Sequence, residues 1–287
     1  MKAVFVKEIR SFFTSMIGYT YIAFLILTIG LYFTAINLRG GYNEFGYVLA
    51  NMNFVLIIAV PILTMRSLVE EKRQRTDQLL LTSPLSVSEI ILGKFLALLA
   101  VFLIPLGVAA TCPLLLSYYG AENLSTAYAS LFGFFLLGGA CIAIGLYFSS
   151  LTENQIIAAA ATFFVLLMGY LMQDTIRLFT DSALTSFATF SCILLIGAGL
   201  YYFASRNKAI SFGSFAFLEG LLLLCYLLTP ELLAGLTKKL LNCFNLFEPF
   251  YRFIGGIFDL TSVLYYCSIS FLFLFLTRQS IRKKSWG

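Results

Sequence analysis

A chain of 287 residues that is 60% hydrophobic and only 11% charged falls far below the roughly 25% charged residues of a soluble domain, so it reads as one polytopic membrane domain over 1–287. Its 19 lysines and arginines against 14 acidic residues leave a mild basic excess of the kind membrane proteins keep in cytoplasmic loops; without aromatic residues interleaved in a basic patch it excludes nucleic-acid binding. Histidine is absent, which removes the commonest metal ligand and general base and, with them, zinc-protease and Ser-His hydrolase chemistry.

Residues 1–16 predict an amphipathic helix lying in the membrane interface. Val4, Phe5, Ile9, Phe12, Phe13 and Met16 share one half of the helical wheel, and Lys2, Lys7, Arg10 and Ser11 fall mostly off it. A signal peptide is rejected, because the following apolar run is long, lacks a small-x-small cleavage site and is succeeded by further spans.

Runs of about 20 apolar residues can cross a bilayer. Candidates are 17–38, 46–65, 92–118, 127–149, 155–173, 183–204, 209–229 and 260–277. The third carries Pro105 and Pro113, which predict a kink or tilt. The seventh is interrupted by Glu219. Treating the sixth and seventh as peripheral leaves six spans and does not change the sidedness of the rest. With the N-terminus inside, most lysines and arginines are cytoplasmic, and only Arg39, Arg177, Lys238, Lys239 and Arg252 lie outside. Both termini are then cytoplasmic. The six cysteines show no CxxC spacing, and all but Cys243 fall in hydrophobic runs, so they read as small buried apolar residues.

Between the second and third spans, 66–91 is the one long charged stretch. Glu70, Glu71, Lys72, Arg73, Arg75 and Asp77 form an ionic cluster, followed by an apolar Leu79-Leu80-Leu81. Thr82-Ser83-Pro84 stops one helix, and Ser86-x-x-Glu89 is a capping box for the next. The expected product is a short helix across the cytoplasmic face, apolar in the middle and charged at its rim. That composition suits a groove on a partner; the rival is a solvated loop, against which the exposed leucines weigh. In the second inner loop, Ser150-x-x-Glu153 is another capping box, read as a minor contact or as simple helix initiation. The outer segment 230–259 predicts one or two short amphipathic helices at the outer interface, broken near Pro249 and Gly255-Gly256; the alternative is a loop resting on lipid. Asn51 and Asn53 are expected to join helices.

No P-loop is present: Gly93-Lys94 lacks the upstream glycine and is followed by Phe95. The chain is therefore expected to be no enzyme, with no cofactor or metal of its own. Glu219, a carboxylate near mid-span, either lines a pathway or makes a structural hydrogen bond.

The stretch Glu71-Lys72-Arg73-Gln74-Arg75-Thr76-Asp77-Gln78-Leu79-Leu80-Leu81-Thr82-Ser83-Pro84, followed by Ile91-Leu92-Gly93-Lys94, resembles the signature of ABC-2-type transporter permeases. There Glu-Lys/Arg-x-x-Gly-Thr-x-Glu-x-Leu-Leu-x-x-Pro precedes Gly-Lys at the head of the third span. Arg75 stands where glycine is common and Gln78 where glutamate is. The run from Phe250 to Leu260, and on through Tyr265-Tyr266 to Thr277, is similar to the gliding-motility-associated branch. The resemblance implies an all-α permease bundle of six core spans plus an extra helix pair near 180–230, in a bacterial cytoplasmic membrane. It implies a second permease copy or a related permease, and cytoplasmic ABC ATPase subunits that bind the ATP. Leu79, Leu80 and Pro84 would shape the docked helix, with Thr76, Ser86 and Glu89 in the same coupling segment, while Glu71, Lys72 and Arg73 latch it. The gliding-type likeness adds an accessory membrane protein to the partners. Export is favoured over import, since no dock for a soluble binding protein is evident. The rival classes are a non-transporting anchor of a surface complex and an ion-driven secondary transporter. The latter calls for several intramembrane charges and internal repeats.

Overall fold

Proline and glycine punctuate the helices of the computed structural model, which describes residues 1–73, 86–120, 123–178, 181–205, 218–224, 226–228 and 234–285. Helix α1 (Lys2–Thr14) ends at an extended Ser15, and α2 (Met16–Phe33) starts at the next residue, widening into a π-helical turn over Thr34–Arg39. Then come α3 (Gly46–Thr64), the short α4 (Val69–Arg73) and α5 (Val87–Ala109). Of the two prolines expected to kink or tilt the third span, Pro105 lies within the continuous α5 and only Pro113 coincides with a break. Pro113 has no N–H to offer the Ala109 carbonyl, and the helix restarts as α6 (Thr111–Tyr118). Helices α7 (Leu124–Leu151), α8 (Gln155–Leu178), α9 (Ala183–Ser205), α10 (Leu236–Phe244), α11 (Glu248–Ile254) and α12 (Leu260–Ser285) complete the order, with no strand among the described residues.

Among the described residues, six stretches are long and apolar enough to cross a membrane: Met16–Arg39, Gly46–Arg73, Val87–Tyr118, Leu124–Leu151, Gln155–Leu178 and Leu260–Lys283. They match the first five and the last of the expected runs. The 183–204 run forms α9, and most of 209–229 lies outside the described residues.

The chain divides into two compact units, 1–168 with 247–287, and 169–246. The core of the first is built around α7, which packs against α3, α5, α11 and α12. In a membrane the lipid is as apolar as a protein core, so helices associate where small residues let backbones approach. Gly133, Gly138 and Gly145 do this on α7: a Cβ there would collide with Phe253, Phe102 and Thr64 respectively. Phe134 meets Phe102 and Phe250 at ring-centroid distances of 6.1 and 5.8 Å.

The outer segment forms two short helices, α10 and α11, interrupted next to Pro249 as expected; Pro249 itself sits in the first turn of α11, where its missing N–H is harmless. The departure is in burial: Phe247, Phe250 and Phe253 are fully buried, so this part of the segment is core and does not rest on lipid. Gly255-Gly256 does end the helix, with Gly256 at φ 74°.

In the second unit, α9 and α10 are joined by the Thr189 and Thr237 hydroxyls 2.6 Å apart. Lys238 pairs with Asp181 at 2.9 Å. Cys141 is buried, as the small-apolar reading expects, and Cys112 is half-buried, whereas Cys243 and Cys267 are exposed.

Candidate functional site

Lys94 lies two turns into α5, where a lone ammonium in an apolar helix would be costly. It is 1% exposed; its ammonium donates to Glu8 Oε1 at 2.6 Å and to the Ser67 carbonyl at 2.8 Å, and forms an ion pair with Glu71 Oε2 at 2.9 Å. Lys7 closes the cluster on Glu71 Oε1 at 3.1 Å. Two cations and two carboxylates thus form a neutral group that ties α1, the turn after α3, α4 and the head of α5 together.

Local structure explains how these residues meet. On α1 the buried positions are Val4, Glu8 and Phe12, an i, i+4, i+8 stripe. The protein-facing stripe is therefore centred on a carboxylate, whereas the sequence wheel centred it on apolar residues and passed over Glu8. Met16, expected on the apolar face, is 87% exposed. Gly93 lets α1 approach: a Cβ there would stand 3.1 Å from Val4 Cβ and Cγ1. The signal for Glu8 was an unpartnered lysine inside a span, since such a charge needs a carboxylate or carbonyls.

A second set of bonds holds α4 against the end of α7. The Leu68 N–H donates to Ser149 Oγ at 3.2 Å, and Lys72 Nζ donates to the Ser150 carbonyl, which also accepts from Ser280 Oγ on α12 at 3.5 Å. Arg66 forks onto Glu70 one turn later. Arg73 is exposed.

The other expected site residues are distributed as follows. Ser86 and Glu89 form the capping box at the start of α5: Ser86 Oγ accepts from the Glu89 N–H at 3.3 Å, and Glu89 Oε2 accepts from the Ser86 N–H at 3.0 Å. Thr76, Leu79, Leu80 and Pro84 lie outside the described residues. Ser150 and Glu153 do not form a capping box. Helix α7 runs on through Leu151, leaving Ser150 buried and bonded back to the Tyr147 carbonyl at 2.6 Å. Asn154 initiates α8 instead, accepting from the Ile156 N–H at 2.9 Å, and Glu153 is exposed. Glu219, in the second unit, accepts from Ser191 Oγ at 2.7 Å, and its other oxygen is buried without a hydrogen bond among the described residues. Among the described residues neither asparagine bonds to another helix: Asn51 donates to the Tyr47 carbonyl of its own helix at 2.8 Å. Asn53 is fully buried with no partner for its amide among the described residues.

No group of three or more metal-ligating side chains occurs among the described residues. The Lys94 cluster holds four backbone segments together through one buried cation. A family model described as ABC-2 family transporter protein matches residues 28–196, more than half of the chain. No curated protein matches it.

Proposed function

We propose, on the premise that this chain belongs to the ABC-2 family of transporter proteins, how the membrane permease of an ABC transporter takes up motion from its ATPase. The family is the transmembrane component, and membership implies partnership with ABC ATPase subunits. The 66–91 segment is the coupling element, facing the cytoplasm with both termini, and Leu79, Leu80 and Pro84 seat it on the ATPase. The observation that carries this reading is the Lys94 cluster. Both ends of the segment, Ser67 and Glu71 on one side and Lys94 on the other, are fastened to each other and to Glu8 of α1. A push on the segment would therefore reach α1 and α5 together. Glu71 acts from the permease side, as an anchor of the segment, and Lys72 fastens it to the second inner loop.

The permease pairs with a second copy or a related permease in the bacterial cytoplasmic membrane. It moves its cargo outward, since nothing in the chain suggests a dock for a soluble binding protein. The gliding-type likeness of 250–277 supports, as the runner-up, an anchoring role in a surface complex with an accessory membrane protein.

Replacing Leu79 and Leu80 with Asp tests the reading. The doubly substituted chain should insert and purify normally from its native host but lose the ATPase that co-purifies with wild type. Full recovery of the ATPase would overturn the docking assignment. Co-purification without stimulated ATP hydrolysis would favour the anchor.

A further inference from the structure

Helix α12 buries one face, through Ser262, Tyr266 and Thr277, and leaves the opposite face open. On the open face Leu264, Phe271, Phe275, Arg278 and Arg282 recur at i, i+7, i+11, i+14 and i+18, which places them on one stripe along the helix. The three apolar members are 62%, 73% and 52% exposed. Arg278 is the first residue beyond the apolar run, Arg282 follows one turn later, and Lys283 stands exposed next to it. At 1.5 Å per residue, Arg282 lies about 16 Å along the helix from Phe271. The stripe is therefore apolar over most of its length and cationic at its end.

These cations have no counter-charge within the chain. Among the described residues no hydrogen bond or ion pair holds Arg278, Arg282 or Lys283. Exposure to water would account for Arg282 and Lys283. It does not account for Arg278, which is half-buried and whose Nε is closed off from solvent without an acceptor. The other part-buried cations near this end of the bundle are paired, Arg66 with Glu70 and Lys94 with Glu8 and Glu71. A partly desolvated charge ordinarily has a partner, so the unpaired guanidinium points to an anion supplied from outside the chain.

The stripe restricts what carries that anion. A second copy pressed onto this face about a two-fold axis along the membrane normal would set the arginines of both copies against each other. A soluble protein could meet the cationic end, but Phe271 stands two turns deeper in the apolar span. An anionic phospholipid meets both parts: its phosphate takes the guanidinium fork, and an acyl chain lies along Phe275, Phe271 and Leu264. We infer that the open face of α12 binds an anionic phospholipid of the phosphatidylglycerol type, in the leaflet that the proposed function makes cytoplasmic. Net headgroup charge selects the ligand, because cations at the end of a span are drawn to an anionic surface.

The test uses the full chain, delipidated in detergent and titrated with phosphatidylglycerol, phosphatidylethanolamine or phosphatidylcholine, with bound lipid counted by native mass spectrometry. Phosphatidylglycerol should bind about tenfold more tightly than either zwitterionic lipid, each basic side chain at an anionic surface being worth about fivefold. Arg278→Gln combined with Arg282→Gln should remove most of that preference. Arg278→Lys with Arg282→Lys should keep part of it, since the charge stays and the fork is lost. Arg177→Gln, which removes an exposed cation from the other compact unit, should leave it unchanged. Equal retention of the three lipids, a preference that survives the glutamine pair, or the same loss in Arg177→Gln overturns the proposal. So does a glutamine pair that changes the number of copies per particle with lipid retention unaltered, which would make the face an interface between copies. The measurement involves neither an ATPase nor sidedness, so its failure leaves the coupling assignment standing.

Discussion

Replacing Lys94 with Met keeps an unbranched side chain, one atom shorter, and removes its charge, its two hydrogen bonds and its ion pair with Glu71. What remains is Glu8 and Glu71, whose side chains are 11% and 14% exposed, both aimed at a point that no longer holds a cation. Taking one partner from a buried ion pair costs about 3–5 kcal/mol, because the other is left uncompensated. Lys7 still neutralises one oxygen of Glu71, which places the loss at the lower end, about 3 kcal/mol. For a chain of this size each kcal/mol shifts the melting temperature by about 2–4 °C, so K94M should melt about 6–12 °C lower, read by loss of the monodisperse peak on heating in detergent. The triple substitution K94M/E8Q/E71Q should recover most of the deficit, since a neutral replacement of the whole group leaves no buried charge. A K94M protein melting within about 2 °C of wild type, or a triple substitution worse than the single one, would refute the view of Lys94 as a desolvated cation that fastens three segments.

Two further substitutions probe the frame around that cluster. Gly138→Val drives a branched side chain into the Phe102 ring and should destabilise by about 1–3 kcal/mol through overpacking. Gly30→Ala, where a Cβ meets open space, should leave stability equal or raise it by up to about 1 kcal/mol; equal effects at the two sites in the same melting assay would refute the close-packed role of α7. At the start of α12, Asp259 accepts from Arg252 Nη1 at 2.7 Å, from Ser262 Oγ at 2.9 Å and from the Thr261 N–H at 3.0 Å. Chiefly through Arg252, these bonds hold its carboxyl well below the usual carboxylate range. A depressed acid stabilises the fold above its unfolded pKa of about 3.9, and that contribution fades as pH falls through the window below it. Asp259→Asn keeps a helix cap but loses the ion pair, so wild type should melt above it at pH 7 and the gap should narrow on acidification towards pH 3; a gap independent of pH would show that Arg252 does not hold the carboxylate.

The spans were legible because their signal is local. Twenty apolar residues in a row state a helix long enough to cross a bilayer, and Pro113 states where one must be interrupted. Which face of each helix is buried was not legible from hydropathy, since lipid and protein core are equally apolar. Phe247, Phe250 and Phe253 have the pattern of an interfacial helix and are core. The better guide was small-residue spacing: Gly133, Gly138 and Gly145 mark the packed faces of α7, and a phenylalanine ring or the Thr64 side chain fills each notch. The capping box at Ser86 formed as written, whereas the one at Ser150 did not, because tertiary bonds from Lys72 and Ser280 hold that stretch as the end of α7.

The Lys94 cluster was half legible, and the missing half is instructive. A lysine within an apolar span implies a partner, but Glu8 is 86 positions away, and periodicity carries no information at that separation. On the helical wheel Glu8 looked incidental. It becomes central only once Gly93 brings α1 close enough for the carboxylate to reach the ammonium. The neighbours Gly93 and Lys94 thus have two separate duties, one steric and one electrostatic, and each is of use only if the other is met. On the proposed reading this has a mechanical consequence. Moving the coupling segment independently of α1 would require separating Lys94 from both carboxylates inside a nearly dry site. Rotating the joined group as a unit breaks none of these bonds, so a stroke applied near Leu79 would turn α1, α4 and the head of α5 as one lever.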